Sequence, residues 1–351
     1  MAHKQHKLGG GQLRPPSHDD GAIYAAIDLG TNNCGMLMAR PEDADFRVVD
    51  SFSRIVRLGE GLTAGVALRD DAIERTIDAL KVCAGKLQRR DVRRVRGVAT
   101  EACRRATNAQ AFLDRVEDET GLCLETISPS QEAGLILAGS APMLDERSTR
   151  ALVFDIGGGS VEVMWVGLGA DGPTVLDMMS LPVGVVMLAE HRDGGDYAAV
   201  LDSLDDALIE FDGLHGISAA IAADDAQMLG TSGTVTTVGA LHLGLGRYDR
   251  SRVDGLELSF DSIAAVTAGI ADMSFDERAA HPCIGRQRAD LVGVGCGVLD
   301  AICRRWAVGR LWVADRGIRE GLLLAMMDDD DALSRRRPAT RHGDDAHPSA
   351  P

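Results

Sequence analysis

The chain has 351 residues, of which 45% are apolar and 4% aromatic, a composition typical of a globular protein with two domains of ordinary size. Its net charge of −16 argues against general nucleic-acid binding, and no apolar run approaches the roughly 20 residues of a membrane span. The seven cysteines form no C-x-x-C pair, and no secretory signal opens the chain. We therefore expect reduced thiols in a soluble, cytoplasmic protein that binds neither membranes nor nucleic acid.

Two polar segments enclose the patterned part of the chain. Residues 1–20 and 328–351 lack hydrophobic periodicity and are predicted to be disordered tails. Between them strand and helix patterns alternate, which indicates an α/β fold. In the first half we predict strands at Ala22–Leu29, Met36–Arg40, Phe46–Val56 and Val92–Thr100, and helices over Ile73–Leu87 and Asn108–Gly121, the last with an Asn N-cap.

The pattern starts again at Leu152, with predicted strands at Leu152–Ile156, Val161–Val166 and Val175–Leu181. Each half opens with a related loop, IDLGTNN at residues 27–33 and FDIGGGS at residues 154–160. The aspartates of the two loops are 127 positions apart. This internal duplication predicts two similar lobes, residues 21–141 and 142–327, with a boundary in the polar stretch near Pro142.

Each of these two loops places an aspartate at a strand end beside a glycine-rich turn. Glycines allow backbone N–H groups to approach an oxyanion closely, and the aspartate can hold Mg²⁺ or orient water. One such hairpin is explained equally well as an ordinary β-turn, but two at matching places favour a phosphate site. A third loop, Leu229–Thr234, precedes a helix predicted near Val235; anion binding at the helix N-terminus and plain N-capping by Thr231 or Ser232 both explain it.

A helix start is also predicted at Ser128, with Pro129 at its first position and Gln131 completing a capping box. Glu132 then lies in the first turn. Compensation of the helix dipole explains a glutamate at this position, and so does a role as general base. The residues themselves leave both alternatives open.

Residues 89–105 contain seven arginines and two acids, an excess of positive charge on an acidic protein. One interpretation is a solvated strand edge and helix flank. The other is a track for a polyanion, since arginine matches phosphate geometry with two hydrogen bonds. The residues proposed for the track are Arg89, Arg90, Arg93 and Arg94.

Taken together, these segments resemble the exopolyphosphatase/guanosine pentaphosphate phosphatase family, a branch of the superfamily that includes actin, sugar kinases and heat-shock chaperones. The resemblance runs from Ala22 to Met326 and keeps the family's order of motifs. The matching segments are AIDLGTNN, ATEACRRATNAQAFL at residues 99–113, SQEAGLI, LVFDIGGGSVE at residues 152–162, LGTSGTVTT, RQRADLV at residues 286–292 and DRGIREG at residues 315–321.

The resemblance implies two duplicated actin-like (ribonuclease H-like) lobes with a phosphate-binding cleft between them. It implies Glu132 as the catalytic base and Asp28, Asp155 and Glu162 as ligands of Mg²⁺, with Mn²⁺ as an alternative metal and a monovalent cation as an additional one. The implied phosphate-binding residues are Thr31, Asn32, Asn33, Cys34, Arg104, Gly157, Gly158, Gly159, Ser160, Ser232, Gly233 and Thr234. The chain departs from the family pattern at Gly35 and Gly134, where basic residues are common, and at Gln131, which replaces a frequent Glu.

The function implied is that of an exopolyphosphatase, a hydrolase that removes terminal phosphates processively from inorganic polyphosphate. Two alternatives stay open, a guanosine pentaphosphate phosphatase and an ATP-dependent kinase of the same superfamily. A non-catalytic nucleotide-binding protein is a third class. The resemblance also favours a homodimer.

Overall fold

The computed structural model describes residues 21–42, 45–62, 66–145 and 147–336. The predicted N-terminal tail, residues 1–20, lies outside the described residues, and so does the end of the predicted C-terminal tail, residues 337–351. Among the helices of the described residues, none combines the length and apolar character that a membrane crossing requires.

The first sheet is built from residues in the first half of the chain. It has five strands in the order β3-β2-β1-β4-β5, with β1–β3 forming an antiparallel meander and β4 and β5 added in parallel. The strands are β1 (Ile23–Leu29), β2 (Asn33–Glu42), β3 (Asp45–Ile55), β4 (Val92–Ala99) and β5 (Leu124–Thr126). The helices of this half are α1 (Asp70–Gln88), α2 (Glu101–Arg105), α3 (Ala109–Thr120) and α4 (Pro129–Ser140), followed by a 3₁₀ turn at Ala141–Met143.

The second sheet has six strands in the order β10-β11-β9-β6-β7-β8. The strands are β6 (Arg150–Ile156), β7 (Val161–Gly169), β8 (Gly172–Leu181), β9 (Ala226–Thr231), β10 (Leu256–Ser259) and β11 (Arg310–Ala314). The helices are α5 (Val185–Gly194), α6 (Tyr197–His215), α7 (Ile217–Ala222), α8 (Ser232–His242), α9 (Arg250–Val253), α10 (Phe260–Asp272), α11 (Phe275–Ala280), α12 (Val292–Arg305) and α13 (Ile318–Arg336). The largest apolar core packs around this sheet.

The two sheets confirm the duplication predicted from the sequence. Strands β8-β7-β6-β9-β11 repeat the order and directions of β3-β2-β1-β4-β5, and β10 is an additional edge strand. The two glycine turns are also equivalent: Gly30 N–H donates to Asn33 O at 2.9 Å, and Gly157 N–H donates to Ser160 O at 3.0 Å. The fold is therefore the predicted α/β pair of lobes.

The starts of α4 and α3 show when neighbouring residues alone are enough to predict how a helix N-terminus is capped. The capping box at the start of α4 forms as predicted, because its two hydrogen bonds join residues three positions apart, Ser128 and Gln131. The Asn cap predicted for α3 is wrong, since both polar groups of the Asn108 side chain bond the backbone of Leu68 instead. Those bonds tie the loop before α1 to α3, which a local pattern does not reveal.

The last helix, α13, follows the second sheet but packs on the first. Its apolar side chains, Leu322, Leu323, Met326 and Met327, join a core with residues of β1, β2 and β4. The helix also continues through residues 328–336, so the predicted start of the C-terminal tail at residue 328 is wrong. Asp330 explains the continuation, because its carboxylate accepts hydrogen bonds from Tyr24 at 2.6 Å and from Arg94 at 2.9 Å. The predicted boundary between residues 141 and 142 assigns α13 to the second lobe and so does not account for its packing on the first sheet. That boundary stays a prediction.

Truncation of Leu323 tests whether α13 is part of the first lobe. Its side chain is fully buried, so Leu323→Ala should lower the free energy of unfolding by about 2–5 kcal/mol, the usual cost of such a truncation. Leu214→Ala is the matched control, since Leu214 is 70% exposed and its loss should change stability by less than about 0.5 kcal/mol. Urea unfolding followed by circular dichroism measures both, and equal stabilities would contradict the assignment.

Candidate functional site

A cavity of about 550 Å³ lies where strand ends from both sheets meet. Its wall contains most residues of the predicted site, drawn from three loops, two strand-end aspartates and the first turn of α4. Those residues are Asp28, Thr31, Asn32, Asn33, Glu132, Asp155, Gly157, Gly158, Gly159, Ser160, Ser232, Gly233 and Thr234. Cys34, Arg104 and Glu162 are not on the wall.

The first two loops touch each other across the cleft. A Cβ atom at Gly158 would lie 2.9 Å from the Asn32 backbone N, and one at Gly159 would lie 2.2 Å from Thr31 Oγ1, so only glycine permits this approach. The N–H groups of both glycines have no acceptor among the described residues, and the Thr31 hydroxyl is buried without a partner. Donors left free in this way on a cavity wall suit an anion such as phosphate.

The third loop adds the N-terminus of α8. This helix begins at Ser232, three residues earlier than predicted, and neither proposed N-cap residue caps it. Instead Thr231 Oγ1 donates to Arg316 O at 2.7 Å, and Ser232 Oγ donates to Ile156 O at 2.7 Å. Ser232 has a φ of 90°, an uncommon value for a residue other than glycine, which is typical of functional loops. The first turn of α8 therefore faces the cavity with uncapped N–H groups, which favour anions.

Glu132 is held by an arginine. The Glu132 side chain is 5% exposed, and Arg104 Nη1 donates to its Oε2 at 2.6 Å. Arg104 Nε also donates to Glu101 Oε2 at 3.0 Å. Burial raises the pKa of Glu132, and the Arg104 guanidinium partly opposes that rise. Arg104 had been predicted to bind phosphate; in this structure it has two carboxylate partners and orients Glu132.

Three further carboxylates surround Glu132. Burial raises the pKa of Asp28 to about 7 and that of Glu162 to about 7, and it raises the pKa of Asp155, which the negative charge of Glu162 raises further. Asp28 Oδ1 and Glu162 Oε2 are buried without hydrogen-bond partners, and Ser180 Oγ donates to the other oxygen of Glu162 at 2.8 Å. Unpaired carboxylate oxygens of this kind suit a hard cation. Within the described residues, however, no three acidic, His or Cys side chains form a metal site by themselves.

The prediction that Cys34 binds phosphate is wrong. Its backbone pairs with Leu29 and Arg54 inside the first sheet, and its thiol is buried against that of Cys83. The alternation of side chains along β2 places Cys34 in the core and its neighbour Asn33 on the cavity wall.

The predicted polyanion track stays a prediction, and its arginines lie away from the cavity. Arg90 pairs with Asp50 at 3.3 Å, and Arg93 and Arg94 each pair with Asp330 at 2.9 Å. These residues and Arg89 lie around the start of β4, and only the opposite end of that strand, at Thr100, reaches the cavity. Seven residues of strand separate the two ends by about 20 Å. The ion pairs of Arg90, Arg93 and Arg94 favour the interpretation as a solvated face.

Sequence reasoning missed the arginines that do line the cavity. Arg250 donates to Glu320 Oε1 at 2.8 Å, and Arg316 Nε donates to Asp254 Oδ2 at 2.9 Å. Arg288 and Arg319 also lie on the wall and form no hydrogen bond or ion pair with the described residues. Three of the four belong to the segments RQRADLV and DRGIREG, which the resemblance had already marked without assigning a role to any residue in them.

The buried carboxylates predict a pH dependence of stability in chelator. Folded-state pKa values of about 7 for Asp28 and Glu162, against ordinary values of 3.8 and 4.5, mean that the folded protein binds more protons than the unfolded chain between these limits. The contribution is fully stabilising below about pH 4 and is lost as the pH rises through about 7. The free energy of unfolding from urea titrations should therefore fall between about pH 4 and 7 and level off above about pH 7.5.

Asp28→Asn is the variant that checks this origin, because it removes one of the titrating groups. Its free energy of unfolding should fall less steeply with pH than that of the unmodified protein. Identical slopes for the two proteins would show that Asp28 does not titrate in this range.

Comparison with known proteins agrees with this geometry. The model of the Ppx/GppA phosphatase family matches residues 37–330. Exopolyphosphatase 2 of Mycobacterium tuberculosis is 30% identical over 319 residues, covering 86% of this chain and 98% of that protein. The crystal structure of an exopolyphosphatase-like protein has 28% identity and a TM-score of 0.77 and covers 88% of this chain and 98% of that one. The Aquifex aeolicus PPX-GPPA enzyme has 29% identity and a TM-score of 0.68, with 87% and 99% covered. Since the family model matches most of the chain, from β2 to α13, the chain belongs to the Ppx/GppA phosphatase family.

Proposed function

We propose that this phosphatase is an exopolyphosphatase, which releases terminal phosphates processively from inorganic polyphosphate. The observation that carries the proposal is the position of Glu132, a buried carboxylate on the wall of a cavity that three phosphate-type loops enclose. The name of the Mycobacterium tuberculosis relative, an exopolyphosphatase, supports the choice of substrate.

In the proposed reaction, Glu132 orients the attacking water and accepts its proton. Arg104 donates a hydrogen bond to Oε2 of Glu132. The other oxygen, Oε1, accepts no hydrogen bond from the described residues and stays available to water. Burial raises the pKa of Glu132 and so makes its carboxylate a stronger base than an exposed one, which favours proton abstraction. The arginine therefore acts through Glu132, by fixing the direction of its free oxygen.

The loops bind the terminal phosphate in this proposal. The free N–H groups of Gly158 and Gly159 and the first turn of α8 converge on the cavity from two sides. Hydrolysis of a phosphoanhydride spreads negative charge over the phosphoryl oxygens, and fixed donors stabilise that charge without reorganisation. Because the donors belong to the backbone, this contribution depends on the glycine contacts that hold the loops together.

A divalent cation completes the proposed site. Asp28 and Asp155, both on the cavity wall, would hold Mg²⁺ or Mn²⁺, and Glu162 lies behind them opposite Asp155 in the β6–β7 ladder. Two carboxylates are a small ligand set, which suits Mg²⁺, since this ion keeps several waters and takes substrate phosphates as ligands. When bound, the cation neutralises charge on the phosphate oxygens. A monovalent cation, a homodimer and a cytoplasmic location rest on the family resemblance and stay predictions.

Phosphate release on a panel of substrates tests the activity. Long-chain polyphosphate, tripolyphosphate, guanosine pentaphosphate and ATP are compared without any acceptor, in Mg²⁺ and again in excess chelator. We expect the highest kcat/KM on long-chain polyphosphate and a loss of activity in chelator. A higher kcat/KM on guanosine pentaphosphate would establish the alternative phosphatase. A protein that releases phosphate from none of these substrates, but transfers it from ATP to an added acceptor, would be a kinase.

Glu132→Gln separates the two interpretations of the first turn of α4. A general base contributes about 10²–10⁴-fold, so turnover should fall by that factor while substrate binding is kept. If Glu132 only compensates the helix dipole, the substitution should lower stability slightly and leave turnover within about threefold. Glu117→Gln, an exposed change on α3, is the matched control and should affect neither quantity.

A further inference from the structure

An arginine that forms no hydrogen bond or ion pair with the described residues, Arg319, lies above Gly35 of β2. Asn33, Gly35 and Leu37 alternate along β2 on one face, and Asn33 and Leu37 line the cavity. A Cβ atom at Gly35 would lie 3.1 Å from Arg319 Nη1 and 3.2 Å from Arg319 Cδ. The side chain of Arg319, which comes from the first turn of α13, therefore occupies the space that a longer residue at position 35 would fill.

A comparison of the two duplicated lobes shows what changes when Arg319 fills the space above Gly35. In the first lobe Asp28 stands opposite Gly35 in the β1–β2 ladder, whereas in the second lobe Asp155 stands opposite Glu162 in the β6–β7 ladder. One aspartate is therefore next to a second carboxylate, and the other is next to a guanidinium that lowers its pKa against the effect of burial. The second-lobe side of the cleft therefore has two adjacent carboxylates, whereas the first-lobe side has a carboxylate next to a guanidinium.

Arg319 interacts with Asp28 through its charge and not through a hydrogen bond. Among the described residues it forms no hydrogen bond or ion pair, although Arg250 and Arg316, on the same wall, each bind a carboxylate. A guanidinium has five donors in a planar fork that fits two phosphate oxygens at once. A cavity wall that keeps such a group free leaves it available for an anionic ligand.

The helix packing fixes where this arginine can reach. At the contact of α4 with α13, a Cβ atom at Gly139 would lie 2.2 Å from Gly317 O, and one at Gly321 would lie 2.1 Å from Leu135 O. The backbones of the two helices are thus in direct contact. Glu132 and Arg319 lie near this contact in the first turns of α4 and α13, so both are held relative to the same rigid pair.

From this geometry we infer that Arg319 is a substrate-binding residue, which grips a phosphate of the polyphosphate chain beside Asp28 from the position left open by Gly35. The inference rests on the proposed function. It assigns the first-lobe side of the cleft to a side-chain cation, in addition to the backbone donors of the loops.

The role of Arg319 is tested by measuring substrate binding to a parent variant, Glu132→Gln, which should hydrolyse the substrate slowly. Glu132→Gln is titrated with tripolyphosphate in Mg²⁺ by calorimetry, alone and combined with Arg319→Gln. A lost bidentate contact between arginine and phosphate should weaken Kd by about 10- to 100-fold. The melting temperature should fall only slightly, because Arg319 has no hydrogen bond or ion pair to lose and only its charge interaction with Asp28 is removed. Arg304→Gln, a change at a side chain that is 70% exposed, is the control and should leave Kd unchanged.

A relocated charge distinguishes binding from structure. Adding Gly35→Arg to the Arg319→Gln variant places a guanidinium in the same space from β2 instead of α13, and Kd should return to within about fivefold of the parent. Equal Kd values for the parent and the Arg319→Gln double variant would overturn the inference while leaving the proposed function intact, and so would a failure of Gly35→Arg to restore binding. If the Glu132→Gln parent binds neither tripolyphosphate nor long-chain polyphosphate, the proposed function itself fails.

Discussion

The structure depends on one electrostatic constraint, the burial of four carboxylates where the two sheets meet. Burial raises the pKa of Asp28, Glu132, Asp155 and Glu162, and the negative charge of Glu132 raises the pKa of the other three further. Like charges in a poorly solvated site are unfavourable, so this cluster opposes folding at neutral pH. A protein retains such a cluster where the groups serve a function that a neutral site could not supply. Arg104 offsets part of the cost at Glu132, and a cation bound with substrate would offset more.

Close backbone contacts are the second requirement, because an electrostatic site acts only if its groups are held in place. Gly158 and Gly159 bring the second loop against the first, and Gly139 and Gly321 bring α4 against α13. In both places any side chain would force the backbones apart. The donors of the loops, the proposed base on α4 and the arginine on α13 are therefore positioned by main-chain packing, which is stiffer than contacts between long side chains.

The duplicated lobes are equivalent in their backbone and unequal in their chemistry. Both contain a strand-end aspartate followed by a glycine turn with the same internal hydrogen bond. They differ at the residue opposite that aspartate, Gly35 in one lobe and Glu162 in the other. A symmetric pair of lobes would present the same charge twice, whereas hydrolysis needs a phosphate grip and a base in different places. The difference at this single ladder position, together with Arg319, makes the two sides of the cleft unequal in charge.

The sequence by itself determined the features that arise from nearby residues or from repetition. Strand alternation, the capping box at Ser128, the paired glycine loops and the position of Glu132 in a first turn all follow from patterns a few residues long. The tertiary structure alone decided the partners of the arginines, since Arg94 meets Asp330 across 236 positions and Arg104 meets Glu132 across 28. It also decided that α13 returns to the first sheet and that Arg319 fills the space above Gly35. An arginine carries the same charge in every context, so only the carboxylates or open cavity that the fold places beside it determine whether it pairs, orients a base or stays free for a ligand.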